Sequence, residues 1–163
     1  MILGEFSMIW LDGSEINIKQ FSGEGLCEKI GSEMYGNDNK NWFKCADFIQ
    51  NAILIIDFDT VINMEGFPTP HYGYFSNDYY MRIIKAFQTI GDVEDAEILA
   101  KAGEIDSEYQ KLLDNTDNKD ERNKLYDEFS EKIDLLEQKL YLHTDFPMWE
   151  MLYAYLDDEI KKL

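Results

Sequence analysis

Carboxylates are the reactive groups this sequence has in supply. Asp and Glu number 33 against 15 Lys and Arg, a formal net charge of −18. The excess is uneven: residues 92–163 hold 21 acidic and 9 basic side chains, and residues 1–91 hold 12 and 6. A chain so charged repels phosphates, so neither direct nucleic-acid binding nor docking on an anionic membrane is expected. Its long-range field favours basic protein partners. The remaining candidate groups are few. Cys27 and Cys45 match no metal-ligand spacing and read as buried thiols of a reducing compartment. His71 and His143 are the two histidines, too few for a zinc site, and read as surface or capping residues. No metal or other cofactor is expected. The pair with the most chemical promise is Asp57 and Asp59, in Asp57-Phe58-Asp59-Thr60-Val61, after the β-branched run 53–56.

An apolar strand followed by that pattern resembles the nucleophile motif of haloacid-dehalogenase-type phosphatases. The resemblance would make Asp57 the nucleophile and Asp59 the general acid, with magnesium. It covers five residues. That motif ends a first strand and is followed by a large α/β domain, whereas the chain after Asp59 reads as helical. The competing reading is two carboxylates at the solvated edge of a buried helix, and no enzymatic activity is expected.

The elements that position these groups read as all-α. The expectation is a single domain, 1–163, built as a helical bundle around a central apolar helix, with room for a short N-terminal hairpin. Within it 1–40 is an N-terminal segment, 42–103 the core, and 104–163 the acidic C-terminal helices. Residues 42–62 are apolar on nearly every side and must be wrapped by other elements. Trp42, Cys45, Phe48, Ile49, Ala52, Ile53 and Ile56 follow helical spacing; about 20 residues without Gly or Pro favour a helix over a strand. Asp12-Gly13-Ser14 between apolar runs signals a hairpin. A short helix follows at 26–35, and Asn37-Asp38-Asn39 supplies a loop. No run approaches the ~18 apolar residues of a membrane span, and the N-terminus lacks the positive region of a signal peptide. A soluble, cytoplasmic protein is expected.

After residue 62, Gly, Pro and aromatic residues build an irregular loop whose Phe67, Tyr72, Tyr74 and Phe75 should pin it to the core. Ser76 or Asn77 caps the next helix, with Tyr80, Ile83, Ile84 and Phe87 on its inner face. Gly91 sits where a left-handed cap belongs. Asp92 and Asp95 form a capping-box-like pair. Val93, Ala96, Leu99 and Ala100 should then face in, with Gly103 as a stop and a separate helix over 104–113.

Asn63-x-x-Gly66-Phe67, Tyr74-Phe75-x-Asn77, the amphipathic helix, Ile90-Gly91 and Ala96-x-Ile98-Leu99-x-x-Ala102 together resemble the DNA-mimic protein family. That family's pattern is an Asn-Asn-Gly-Gly-Phe loop, an aromatic pair with Asn, and a helix ending in Ile-Gly-Ala before a second helix. The similarity covers roughly 48–102, and more loosely 141–155. Met64 and Glu65 stand where the family has Asn and Gly, 68–72 read as an insertion, and Asp92 replaces Ala. The resemblance implies an all-helical, acidic bacterial protein. The characterised type antagonises a DNA-binding transcription factor by presenting carboxylates where DNA presents phosphates, and relatives look like immunity proteins against toxins. No catalytic residues come with it.

The candidate surface lies in the C-terminal half. Residues 119–140 form an amphipathic helix with Leu125, Phe129, Ile133, Leu136 and Leu140 on one face. Asp120, Asp127, Glu131 and Asp134 fall opposite, interrupted by Lys124. Four charges over about 21 Å, at ~1.5 Å per residue, compare with roughly six phosphates on one DNA strand, spaced ~3.4 Å apart. A mimic surface therefore also needs Asp114, Asp117, Glu121 and Glu128. The last helix begins at 143–147, with Pro147 in its first turn and Trp149, Leu152, Tyr153 and Leu156 facing in. The expected function is to bind the basic, DNA-contacting surface of a partner protein. The alternative is an immunity protein neutralising a toxin. A homodimer is compatible with both.

Overall fold

The computed structural model describes residues 7–36, 39–67 and 73–163. The fold is all-α with one small hairpin. Strands β1 (Ser7–Ile9) and β2 (Glu15–Asn17) precede helices α1 (Gly23–Glu33), α2 (Asp47–Glu65), α3 (Asp78–Thr89), α4 (Val93–Asp114), α5 (Lys119–Glu137) and α6 (Met148–Lys161). The chain divides into two compact units, Met1–Asp57 with Pro147–Leu163, and Phe58–Phe146.

In the first unit the Asp-Gly hairpin forms. β1 and β2 are antiparallel with Met8 opposite Ile16, and Gly13 takes a φ of 85°. Asp12 holds the turn by accepting from the Ser14 N–H at 2.9 Å. The second strand ends at Asn17, because the chain enters a 3-10 turn at Ile18–Gln20. Helix α1 begins at Gly23, ahead of the expected 26, since the Ser22 side chain caps it by accepting from the Gly25 N–H. Gly23 is where α1 meets α6. A Cβ there would stand 2.1 Å from the Tyr153 carbonyl oxygen, and the Gly23 N–H donates to Asp157 Oδ1 at 2.6 Å.

Residues 42–62 do not form one uninterrupted helix. A 3-10 turn spans Trp42–Lys44 and α2 starts at Asp47. The Gln50 amide secures the break by donating to the carbonyls of Phe43 and Cys45, groups an unbroken helix would have satisfied itself. From there α2 is apolar all round, with Phe48, Ile49, Ala52, Ile53, Leu54, Ile55, Ile56, Phe58 and Ile62 buried. It passes residue 62 and stops when Gly66 adopts a φ of 73°, because Met64 and Glu65 carry no left-handed preference. The strand reading of 53–56 is thus overturned: those residues are helical.

In the second unit α3 follows expectation. Asn77 accepts from the Tyr80 N–H at 3.0 Å, Tyr80, Ile83, Ile84 and Phe87 are buried, and Gly91 has a φ of 93°. Helix α4 does not. It runs unbroken through Gly103, because a glycine stops a helix by going left-handed and Gly103 does not have a positive φ. The separate helix over 104–113 is therefore the second half of α4. Val93 and Ala100 are exposed, and the inner stripe is Asp92, Asp95, Ala96, Leu99, Ala102, Asp106 and Tyr109. Helix α5 ends at Glu137, leaving Leu140 buried beyond it and Leu125 half-buried. In the first unit, Pro147 precedes α6 and does not lie in its first turn. Trp149 and Tyr153 are half-buried, whereas Met148, Leu152, Leu156 and Ile160 fill the buried stripe of α6.

Candidate functional site: the acidic face of α4 and α5

The sequence places this face through caps and breakers. Asn115 and Thr116 close α4, with the Thr116 hydroxyl donating to the Leu112 carbonyl at 2.7 Å. Asn118 caps α5 by accepting from the Glu121 N–H at 3.1 Å. The Arg122 guanidinium donates to the carbonyls of Leu113 and Thr116, so this cation serves the backbone of the acidic turn. The apolar stripe of α5, Phe129, Ile133 and Leu136, is buried. Phe129 stacks on Tyr109 of α4 with ring centroids 4.6 Å apart. That contact rotates the opposite side of α5 into solvent.

All eight predicted carboxylates, Asp114, Asp117, Asp120, Glu121, Asp127, Glu128, Glu131 and Asp134, are exposed. None takes part in an ion pair among the described residues. They fall into three groups. Asp127, Glu131 and Asp134 line a shallow open depression of about 380 Å³ on the outer side of α5, together with Ser130, Leu135 and Gln138. Asp114 and Asp117 stand at the turn, and Asp120 lies in the first turn of α5 with Glu121, where the helix dipole also favours them. Glu128 belongs to a separate groove between α4 and α5, lined also by Ile105, Glu108, Tyr109, Leu112, Leu125, Phe129 and Lys132. Leu112 and Leu135 are exposed at 52% and 62%. The face therefore carries apolar points among its charges, which the charge pattern alone did not disclose.

The residues of the loop motif do not converge on a surface. Phe67 and Phe75 are buried, with ring centroids 5.5 Å apart, and Phe75 packs edge-on against Tyr80 and Phe129. The Phe67 N–H donates to the Glu137 carboxylate at 3.0 Å. Gly66 is the left-handed end of α2 and Asn77 the cap of α3. Tyr74 is half-buried against Phe75 and Tyr80. Asn63 is exposed and donates to the Asp59 carbonyl at 2.7 Å. Except for Asn63, the motif builds core and caps. The insertion 68–72, with His71 and Tyr72, lies outside the described residues. His143 is exposed in a 3-10 turn.

Asp57 and Asp59 sit within α2 and not at the end of a strand. Two positions apart on a helix, they diverge by about 200°. Each is half-buried and accepts from a tyrosine hydroxyl, Asp57 from Tyr35 at 2.6 Å and Asp59 from Tyr141 at 2.5 Å. The convergence that paired-carboxylate chemistry requires is not present.

Asp92 caps α4 as read, by accepting from the Asp95 N–H, but sequence reasoning missed that a second set of carboxylates is buried. Asp92, Asp95 and Asp106 are buried. Asp95 is pushed up to about 8, first by burial, then by hydrogen bonding to Asp92 and by the charge of Asp92. It also accepts from the Tyr141 N–H at 3.0 Å, which pulls the other way. The Oδ2 atoms of Asp92 and Asp95 are buried with no donor among the described residues. Burial likewise raises Asp106. The available signal was period: 92, 95, 99, 102, 106 and 109 recur at helical spacing.

Residues 45–159 match the DMP19-like protein family. The chain belongs to that family. The match covers most of the chain, including α2 through α5, and agrees with the DNA-mimic resemblance of the loop and helix motifs. No curated relative and no solved structure matches. No described helix is long and apolar enough to cross a membrane.

Proposed function

We propose that this member of the DMP19-like family is a regulator of DNA-mimic type, an acidic interaction protein. It binds the basic, nucleic-acid-contacting surface of a partner protein and competes with DNA for it. The observation that carries this reading is the set of eight exposed carboxylates on α4, α5 and their connecting turn, none in an ion pair among the described residues. Like charges held this close repel, and Lys119, Lys124 and Lys132, interspersed along α5, form no ion pair with them among the described residues. The outer stripe of α5 carries about two-thirds of the charge of a DNA strand of equal length. Asp114, Asp117, Glu121 and Glu128 add to it. The protein acts by binding and not by catalysis, in the cytoplasm, and its partner is a DNA-binding protein or a basic toxin.

The test is competition. Candidate DNA-binding proteins and basic nucleases are titrated with this protein in the presence of a labelled duplex, at several salt concentrations. The expected result is release of the duplex, with affinity falling at least roughly tenfold between low and high salt as exposed charges are screened. Binding indifferent to salt, or to Asp120→Asn with Asp127→Asn, Glu131→Gln and Asp134→Asn, would remove the electrostatic mechanism.

A further inference from the structure

The groove between α4 and α5 differs from the rest of the acidic face. Its floor is the stacked pair Tyr109 and Phe129, both buried. Its sides are Ile105 and Leu112 from α4 and Leu125 from α5. Glu108 stands on one helix and Glu128 on the other. Both are exposed, and neither is in an ion pair among the described residues. Lys132 also lines the groove. The enclosed volume is about 40 Å³, far below the ~300 Å³ at which small-molecule sites begin, and suited to part of one side chain.

An apolar trough flanked by a carboxylate from each helix asks for a side chain with an aliphatic stem and a cationic head. Arginine and lysine both have the stem. Arginine also has a planar fork of donors that can address two carboxylates at once, which the ammonium of lysine does less well. Lys132 makes no ion pair with either carboxylate among the described residues, so both remain open to an incoming guanidinium.

The geometry points to an arginine-binding docking site for the basic partner. The arginine stem lies on Leu112, Leu125 and the rim of Tyr109, and its guanidinium lies between Glu108 and Glu128. The inference rests on the binding function proposed above and adds its specificity: the groove distinguishes arginine from lysine, which a phosphate-like charge array does not.

The experiment uses the full chain and two fluorescein-labelled probes of equal charge, nona-arginine and nona-lysine, read by fluorescence anisotropy. The protein variants are Leu112→Ser, the pair Glu108→Gln with Glu128→Gln, and the outer-face set Asp127→Asn, Glu131→Gln and Asp134→Asn. Leu112 is exposed enough for its serine variant to fold, and a melting curve checks this. The expected result is salt-sensitive binding of both probes, with nona-arginine tighter by about tenfold. That preference should shrink to near unity in Leu112→Ser and in the paired Glu variant. It should persist in the outer-face set, which weakens both probes together. Equal binding of the two probes, or an arginine preference that survives both groove variants, overturns the groove inference while leaving the electrostatic function standing. No salt-sensitive binding of either probe overturns both.

Discussion

Asp92, Asp95 and Asp106 lie on the inner stripe of α4 at 0%, 1% and 5% exposure, while Asp127, Glu131 and Asp134 stand in solvent on the outer side of α5. The side-chain chemistry is the same, and packing gives it two roles. Inside, burial raises Asp95 and Asp106, and the carboxyl groups tie backbone together: Asp92 caps α4, and Asp95 holds the Tyr141 N–H. Outside, among the described residues, they take part in no ion pair and remain available to an incoming cation. A count of charges therefore overstates the recognition surface, since part of the negative composition is structural.

The largest effect that should separate the two sets is a pH dependence. The folded Asp95 carboxyl is raised to about 8 from an ordinary value of 3.8, so the folded state holds a proton that the unfolded chain releases over that interval. The stability this group contributes is then fully present below about pH 4 and is lost as pH rises to about 8. Urea unfolding followed by circular dichroism across this range should show it, and Asp95→Asn should flatten the curve. An unchanged slope in that variant would break the distinction between inner and outer carboxylates. The charge of Glu94 also favours the protonated form of Asp95.

Removing the inner group outright comes next. Asp95→Ala leaves the Tyr141 N–H buried without its acceptor, and should cost about 2 kcal/mol at pH 6, measured by chemical denaturation. Smaller again is Asn77→Ala, which deletes the cap of α3 and should cost about 1 kcal/mol while leaving probe binding untouched. This variant sharpens the comparison by showing what a purely structural loss looks like. The smallest stability change belongs to the outer set. Converting Asp120, Asp127, Glu131 and Asp134 to their amides should shift unfolding by no more than about 0.5 kcal/mol, with a gain if their mutual repulsion is appreciable, yet it should cost the largest share of basic-probe binding. A large loss of stability there would place these side chains with the inner set.

Much of the architecture was legible before any coordinates. The stripe Tyr80, Ile83, Ile84 and Phe87, the Asn77 cap and the Gly91 stop are local signals, and each appears as read. Phe129, Ile133 and Leu136 correctly set the phase of α5, and through that phase the exposure of its acidic side. The misreadings within α4 share one cause. Gly103, Val93 and Ala100 read as stop, core and core, whereas α4 is phased by Tyr109 and Leu99 and carries aspartates inward. Hydropathy assigns an aspartate to solvent. Only a neighbour able to satisfy it, such as the Asp95 N–H for Asp92 or the Tyr141 N–H for Asp95, makes burial tolerable. The first of these is local to the start of α4, but the Tyr141 N–H comes from elsewhere in the fold.

By itself the sequence determined the helical class, the hairpin, the caps and the sign and asymmetry of the charge, because each depends on contacts within one turn or on composition. The tertiary structure decided which carboxylates are buried and which stand free. It also decided that Asp57 and Asp59 each accept from a tyrosine hydroxyl, and that Glu108 and Glu128 line one apolar groove. Those outcomes depend on which helix lies beside which, and at that range a side chain's fate is set by its neighbours in space and not by those in the chain.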